Sequence, residues 1–284
     1  MTEKSAIDFL FFSYFNEDID EIKEDKSKLL NAAINRAYRD AASHVLKFEF
    51  NNSLSDKEKS KIINTYKTIG EMEILNYLTN ISDKKEKLSE NWVEELAKEL
   101  IALYGLSREE LISKIDTVEL KSYQKENGEF TFGIAQKWIN MTMKNIYVMD
   151  SIIKTYLKKE KTCLGYVCDV FDKFIDVPVD DYIIKATCNR FLEKVPSKNS
   201  EKKDGNYMGN SDKYSEKLAW SNWKNEYDAE YSTKSYYRAF QERLKRKMDE
   251  DDEFKEMGDV LDKENRLWIN TAKGLYDKKK KMNN

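Results

Sequence analysis

The sequence predicts an all-α fold, and three observations carry that expectation. Nine glycines and two prolines in 284 residues are too few for a protein built on sheets and tight turns. Charged residues make up 36 % against 40 % hydrophobic ones, a very polar surface over an ordinary interior. Apolar residues also recur at helical spacing along most of the chain.

The first long helix is expected from Leu29 to Phe48, where Leu30, Ala33, Ile34, Ala37, Tyr38 and Ala41 fall on one stripe. Ser55-Asp56-Lys57-Glu58 has capping-box spacing and opens a second helix toward Leu78. A third runs from about Ser89 to Leu103 on a stripe of Trp92, Leu96 and Leu100. Tyr104-Gly105-Leu106-Ser107 stops it, and Ser107 with Glu110 starts another. Residues 125–132 are polar, with Gly128, and read as a loop or a short extended piece.

A long apolar helix follows from about Ile134 to Leu157, and its neighbour runs through Leu164, Val167, Val170, Phe171 and Phe174. Pro178 breaks the chain. Asp180 then caps a helix from Asp181 to about Lys194, which Pro196 ends. Ser197 to Ser215 is rich in Lys, Asn, Asp, Ser and Gly and reads as a mobile polar loop. Helices are expected again around Tyr214–Trp223, Tyr231–Met248 and Asp259–Tyr276. The Lys278–Lys281 run reads as a solvated tail. The chain thus divides into an N-terminal helical region (1–124), a central segment (125–195), the polar loop (196–215) and C-terminal helices (216–284) that pack back on the first region.

Charge and cysteine usage narrow the function classes. A net charge of -3 is not the strongly basic balance of many nucleic-acid proteins, so any phosphate contact must come from local clustering of Lys and Arg. Cys163, Cys168 and Cys188 are odd in number and lack metal-ligand spacing, and the single histidine, His44, is remote from them. No metal site and no cofactor are expected, and the thiols read as reduced, in a cytoplasmic protein. No apolar run approaches membrane-spanning length, and Met1-Thr2-Glu3-Lys4 does not open a signal peptide, so no membrane partner is expected.

The run that carries chemistry is Gly133-Ile134-Ala135-Gln136-Lys137-Trp138-Ile139-Asn140, followed downstream by Val177-Pro178-Val179-Asp180. Together these resemble the hairpin and active-site segment of the helix-hairpin-helix DNA glycosylases. The resemblance covers about residues 125–195. No four-cysteine cluster motif follows, so the nearer comparison is the 8-oxoguanine DNA glycosylase/lyase branch, which lacks one. Ala135 stands where that family has its second hairpin glycine.

The resemblance implies a glycosylase-like fold, in which two helical layers frame a central cleft. It implies that Gly133, Ala135 and Gln136 contact a DNA phosphate through the backbone. Lys137 would attack the anomeric carbon and form a Schiff base, with Asp180 as its carboxylate partner. An attacking lysine must be a free amine, which calls for partial desolvation. Trp138 and Tyr182 are the aromatic candidates for the walls of a pocket holding an extruded base. The function so implied is excision of a damaged or modified base from DNA, with associated AP-lyase activity.

Two other readings stay open. A non-catalytic helical module for DNA or protein binding would keep the hairpin without the chemistry. Arg39-Asp40-Ala41-Ala42-Ser43-His44 also resembles the Arg-polar-x-x-x-His motif of the all-helical HEPN ribonucleases, which would make Arg39 and His44 the acid–base pair of an RNA-cleaving site.

Overall fold

The computed structural model of the chain describes residues 2–42, 55–84, 88–105, 130–191, 220–223 and 236–282. Among these every regular element is a helix, as the composition predicts. The chain forms two compact units, 1–174 and 175–284, and their boundary falls inside the 125–195 segment.

The first unit contains α1 (Glu3–Phe15), α2 (Ile19–Ile22), α3 (Lys26–Ala42), α4 (Asp56–Lys84), α5 (Trp92–Gly105), α6 (Phe132–Leu157) and α7 (Gly165–Phe171), the last continued by a 3-10 turn, Asp172–Phe174. Local side chains set most of the starts. Thr2 Oγ1 accepts the Ser5 N–H at 3.2 Å and caps α1. Asp25 accepts the Lys28 N–H at 3.0 Å, so α3 begins three residues before the expected Leu29. The Ser55–Glu58 capping box forms: the Ser55 N–H donates to Glu58 Oε2 at 2.8 Å, and the Glu58 N–H to Ser55 Oγ at 3.4 Å. Without a Gly or Pro to stop it, α4 continues past Leu78 to Lys84. Ser89 accepts the Asn91 N–H at 3.1 Å, which delays α5 to Trp92.

Helix α6 is the spine of this unit. Leu30, Ala33, Ile34, Ala37 and Ala41 form the buried stripe of α3, and α3 makes its most extensive contact with α6. Ala33, Ala37 and Ala41 stand one turn apart, so the two backbones come close enough for side chains of α6 to reach carbonyls of α3. Trp138 Nε1 donates to the Ile34 carbonyl at 3.1 Å, and Asn145 Nδ2 to the Ala33 carbonyl at 3.2 Å. Both oxygens lie within α3 and have a second lone pair to offer. Helices α4 and α5 close the remaining sides, with α4 against α3 and α5 against α6. Gly70 of α4 sits on the Trp138 ring: a Cβ there would lie 2.5 Å from its Cη2 and Cζ3.

Beside this contact lies a half-buried polar cluster. Lys67 Nζ donates to Asn35 Oδ1 at 2.6 Å, lies 3.1 Å from Glu71 Oε1 and sits over the Tyr38 ring. Burial, with the Glu71 charge added, pushes the Tyr38 hydroxyl up to about 12. Burial also raises the Glu71 carboxyl above its ordinary 4.5, against the opposing pull of Lys67.

The second unit begins with an extended stretch, 175–180, and contains α8 (Asp181–Asn189), a 3-10 turn (Trp220–Asn222), α9 (Tyr236–Glu250) and α10 (Val260–Met282). The stretch is held by α9. Gln241 Oε1 accepts the Val177 N–H at 2.9 Å and its Nε2 donates to the Val177 carbonyl at 2.8 Å, a side chain doing what a neighbouring strand would do. The buried Asp176 accepts from Tyr237 Oη at 3.0 Å, Arg238 at 3.0 Å and Lys245 Nζ at 2.8 Å. Helix α8 stops at Asn189, short of the expected Lys194, where Arg190 turns to meet Asp251 and Glu253. Helix α10 runs through the lysine run to Met282, which corrects the reading of that run as a tail. Lysines suit a helical C-terminus, where they oppose the helix dipole. Helix α10 packs on α8, within its own unit. The 196–215 loop, the Ser107 helix start and residues 125–129 lie outside the described residues, as do 224–235, so only part of the Tyr231–Met248 expectation is described.

Two outcomes follow. Gly70→Ala must overlap the Trp138 ring, and overpacking of this kind costs about 1–3 kcal/mol. The melting temperature should fall by roughly 3–10 °C, and Trp138→Phe in the same chain should recover part of the loss. Glu71→Gln tests the half-buried carboxylate. The Glu71 carboxyl binds its proton more tightly folded than unfolded, so stability falls as pH rises from about 4.5 through the raised folded value. The variant lacks that loss, so its melting temperature relative to wild type should climb as pH rises from about 4.5 through the raised folded value, then level off.

Candidate functional site

The residues singled out from the sequence fall in both units. Thr131 caps α6: its Oγ1 accepts the Ile134 N–H at 3.3 Å and its carbonyl the Ala135 N–H at 3.1 Å. Gly133 therefore lies within the first turn of the helix, not in a turn before it. Gly133, Ala135 and Gln136 are all buried. Gln136 Nε2 donates to the Gly133 carbonyl at 3.0 Å, and Gln136 Oε1 accepts from Asn140 Nδ2 at 3.1 Å. Lys137 is half-buried on the same helix. Trp138 is fully buried between Ile34 and Gly70, and a base stacking on it would have to open that packing. Arg39 is exposed on the last turns of α3, and His44 lies outside the described residues.

Asp180 belongs to the second unit, at the start of α8. Its Oδ1 accepts the N–H groups of Tyr182 and Ile183, both at 2.9 Å, which is the N-cap arrangement its position predicts. Its Oδ2 accepts the indole N–H of Trp268 on α10 at 3.0 Å. Both oxygens thus have donors, and the carboxylate ties α8 to α10. The Tyr182 ring leans on Trp268, with centroids 4.8 Å apart and planes at 49°. Lys185 Nζ lies 5.6 Å from the Tyr182 centroid, within cation–π range.

These side chains border an open groove along α8 and α10. One part, of about 630 Å³, is lined by Tyr182, Lys185, Lys273, Leu275, Tyr276 and Asp277. A neighbouring part of about 280 Å³ runs past Lys185 to Asn189, Arg190, Asn270 and Gly274. Tyr276 is 69 % exposed, an unusual position for a ring with no covering partner. Arg190 is held by Asp251 and Glu253, and Asp251 holds the guanidinium strongly protonated. Lys273 makes no ion pair among the described residues. Seven of the 23 residues of α10 are Lys or Arg and three are acidic, so this helix is cationic in a chain that is slightly acidic overall.

Trp268, Lys273 and Tyr276 were missed in the sequence. Each lies inside an expected helix, but the reason to notice them is their meeting with α8, and Trp268 is 88 positions from Asp180. Among the described residues no group of three or more His, Cys, Asp or Glu is placed to hold a metal, and no helix is long and apolar enough to cross a membrane. None of the three cysteines is in a disulfide; burial raises the Cys163 and Cys168 thiols, so neither is an activated nucleophile.

Asp180→Ala should remove both the cap and the indole acceptor, lowering stability by about 1 kcal/mol or more. Asp180→Asn keeps an oxygen for the cap but loses the acceptor for Trp268. It should shift tryptophan emission while costing less in a denaturant titration. No protein-family model, no curated protein and no solved structure matches this chain.

Proposed function

We propose that this chain is a helical DNA-binding module that performs no chemistry on its ligand, and that the α8–α10 groove receives a single strand. The observation that carries the reading is the pairing of tyrosine faces with lysines along one open groove. Tyr182 and Tyr276 offer planes on which bases stack. Lys185 and Lys273 stand beside them at phosphate-binding positions, and Lys280, one heptad after Lys273, extends the cationic face. Stacking on an aromatic ring contributes about 1–3 kcal/mol per base and tolerates any base, so binding of this kind is strong without sequence readout. The overall acidity of the chain disfavours phosphate binding away from this groove at physiological salt.

A second reading, a helix-hairpin-helix DNA glycosylase with AP-lyase activity, is favoured by one observation. Asp180 opens a helix, and Tyr182, two residues on, lines a groove of nucleotide size. It needs the Lys137 amine and the Asp180 carboxylate to act on one sugar, whereas Asp180 already accepts three donors. The binding reading does not require that carboxylate to be available.

Fluorescence anisotropy with a labelled single-stranded oligonucleotide separates the two. Lys273→Glu should weaken binding about tenfold at low salt and reduce the slope of affinity against salt concentration. Tyr276→Ala should cost a comparable factor with the slope unchanged. Equal binding by wild type and both variants would sink the groove assignment. A borohydride-trapped adduct on abasic DNA, lost in Lys137→Gln, would establish the lyase instead.

A further inference from the structure

Helix α1 has apolar residues on opposite faces, and among the described residues only one of those faces is covered. Phe11 and Phe15 are buried where α1 packs on α3 and α6. Phe9, Leu10 and Phe12 remain 64 %, 63 % and 55 % exposed. At 100° per residue Phe9 stands about 160° from Phe11, with Phe12 and Leu10 to either side. Ser5, Ala6 and Ser13 fill the positions between them, so the outward surface has three large knobs and small gaps, with no charge among these six residues. A surface helix ordinarily turns polar residues outward, and an outward face this apolar implies a second packing partner.

The ends of this face say what kind of partner fits. Glu3 is exposed at the N-terminal end, and Glu17 and Asp18 are exposed just past the C-terminal end, with Glu21 on α2 beyond them. The neighbouring cations are already engaged: Lys4 lies 3.7 Å from Asp20 and over the Tyr156 ring, and Lys23 pairs with Asp20. Glu17 and Glu21 make no ion pair among the described residues. A second copy of the chain fits poorly. An antiparallel twofold pair of α1 helices would set Glu3 against Glu17 and Asp18, and a parallel pair would set each carboxylate against its own copy. An anionic lipid surface meets the same repulsion. An apolar strip with acidic ends matches a helix whose apolar stripe is flanked by lysine or arginine.

We propose that the outer face of α1 is a docking site for a cationic amphipathic helix of a partner protein, seated on Phe9, Leu10 and Phe12 and steered by the carboxylates at either end. The test uses the full chain and a short fluorescein-labelled peptide of leucine and lysine in helical amphipathic order. A leucine–glutamate peptide of the same pattern is the control. The lysine peptide should bind and the glutamate peptide should not. Phe9→Ala with Phe12→Ala alters only exposed positions, and circular dichroism checks that the helices are retained. This pair should weaken binding about tenfold, as loss of central aromatic anchors does. Glu17→Lys with Glu21→Lys leaves the apolar strip intact and should weaken binding while flattening its dependence on salt. Four results would overturn the proposal. The double alanine variant could bind as well as wild type, or both peptides could bind alike. Sedimentation could show a dimer that the alanine pair converts to monomer, or flotation could show the face holding neutral phosphatidylcholine vesicles.

Discussion

The first unit depends on one indole. Trp138 enters the space between α3 and α4, donates to a carbonyl inside α3 and presses its six-membered ring against Gly70. Each feature requires another. The hydrogen bond needs α3 and α6 close together, which the alanines at 33, 37 and 41 permit. The ring needs a position without a side chain on α4, which Gly70 supplies. A buried indole N–H left without an acceptor would cost about 1–3 kcal/mol, so the register of α3 against α6 is specified by chemistry as well as by shape. Asn145, seven residues on and bonded to the Ala33 carbonyl, makes the same connection two turns along the helix.

The second unit solves a different problem. Residues 175–180 are extended and largely buried, yet among the described residues no strand lies beside them to satisfy their backbone. Side chains of α9 take that role: Gln241 pairs both polar groups of Val177, while Asp176 gathers Tyr237, Arg238 and Lys245. A buried carboxylate with donors on both oxygens holds its segment firmly, because moving the segment away would strip a desolvated charge of its donors. Asp180, at the end of the stretch, repeats the device toward α10 through Trp268. The groove is therefore lined from two helices that share one carboxylate, and Tyr182 and Lys185 owe their places to it.

Local signals in the sequence translated well into structure. The capping box at Ser55, the N-cap at Asp180 and the buried stripe from Leu30 to Ala41 are all present, because each depends on residues within a turn or two of one another. The meaning of Trp138 and Asp180 was harder to read. Both looked like parts of a site because they stand near Lys137 and after Pro178. Their main partners are Ile34 and Trp268, 104 and 88 positions away, and periodicity carries no record of such meetings. Gly133 shows the reverse error of scale: the glycine suggested a turn, but Thr131, two residues earlier, had the better cap and drew the residue into the helix. The lysine run departs from the expected tail for a related reason. Its charge suggested solvation, while nothing in Lys278–Lys281 breaks a helix that α10 has already begun.

The hairpin run and the groove therefore place different demands on a functional reading. In the hairpin run the Ile134 and Ala135 N–H groups are bonded to Thr131, and Gln136 is bonded within its own helix. A phosphate held there would have to compete with bonds already made, and the buried side chains around it would have to move. The groove asks for no such exchange. The Tyr276 ring is already exposed, the Tyr182 ring borders the groove, and Lys185 and Lys273 line it. Binding that replaces water at exposed rings and counterions at phosphates is favourable without rearrangement of the core. Binding at the hairpin would draw on the packing that holds the first unit together. That difference in cost, more than any likeness of motif, is the reason to look for the ligand on α8 and α10.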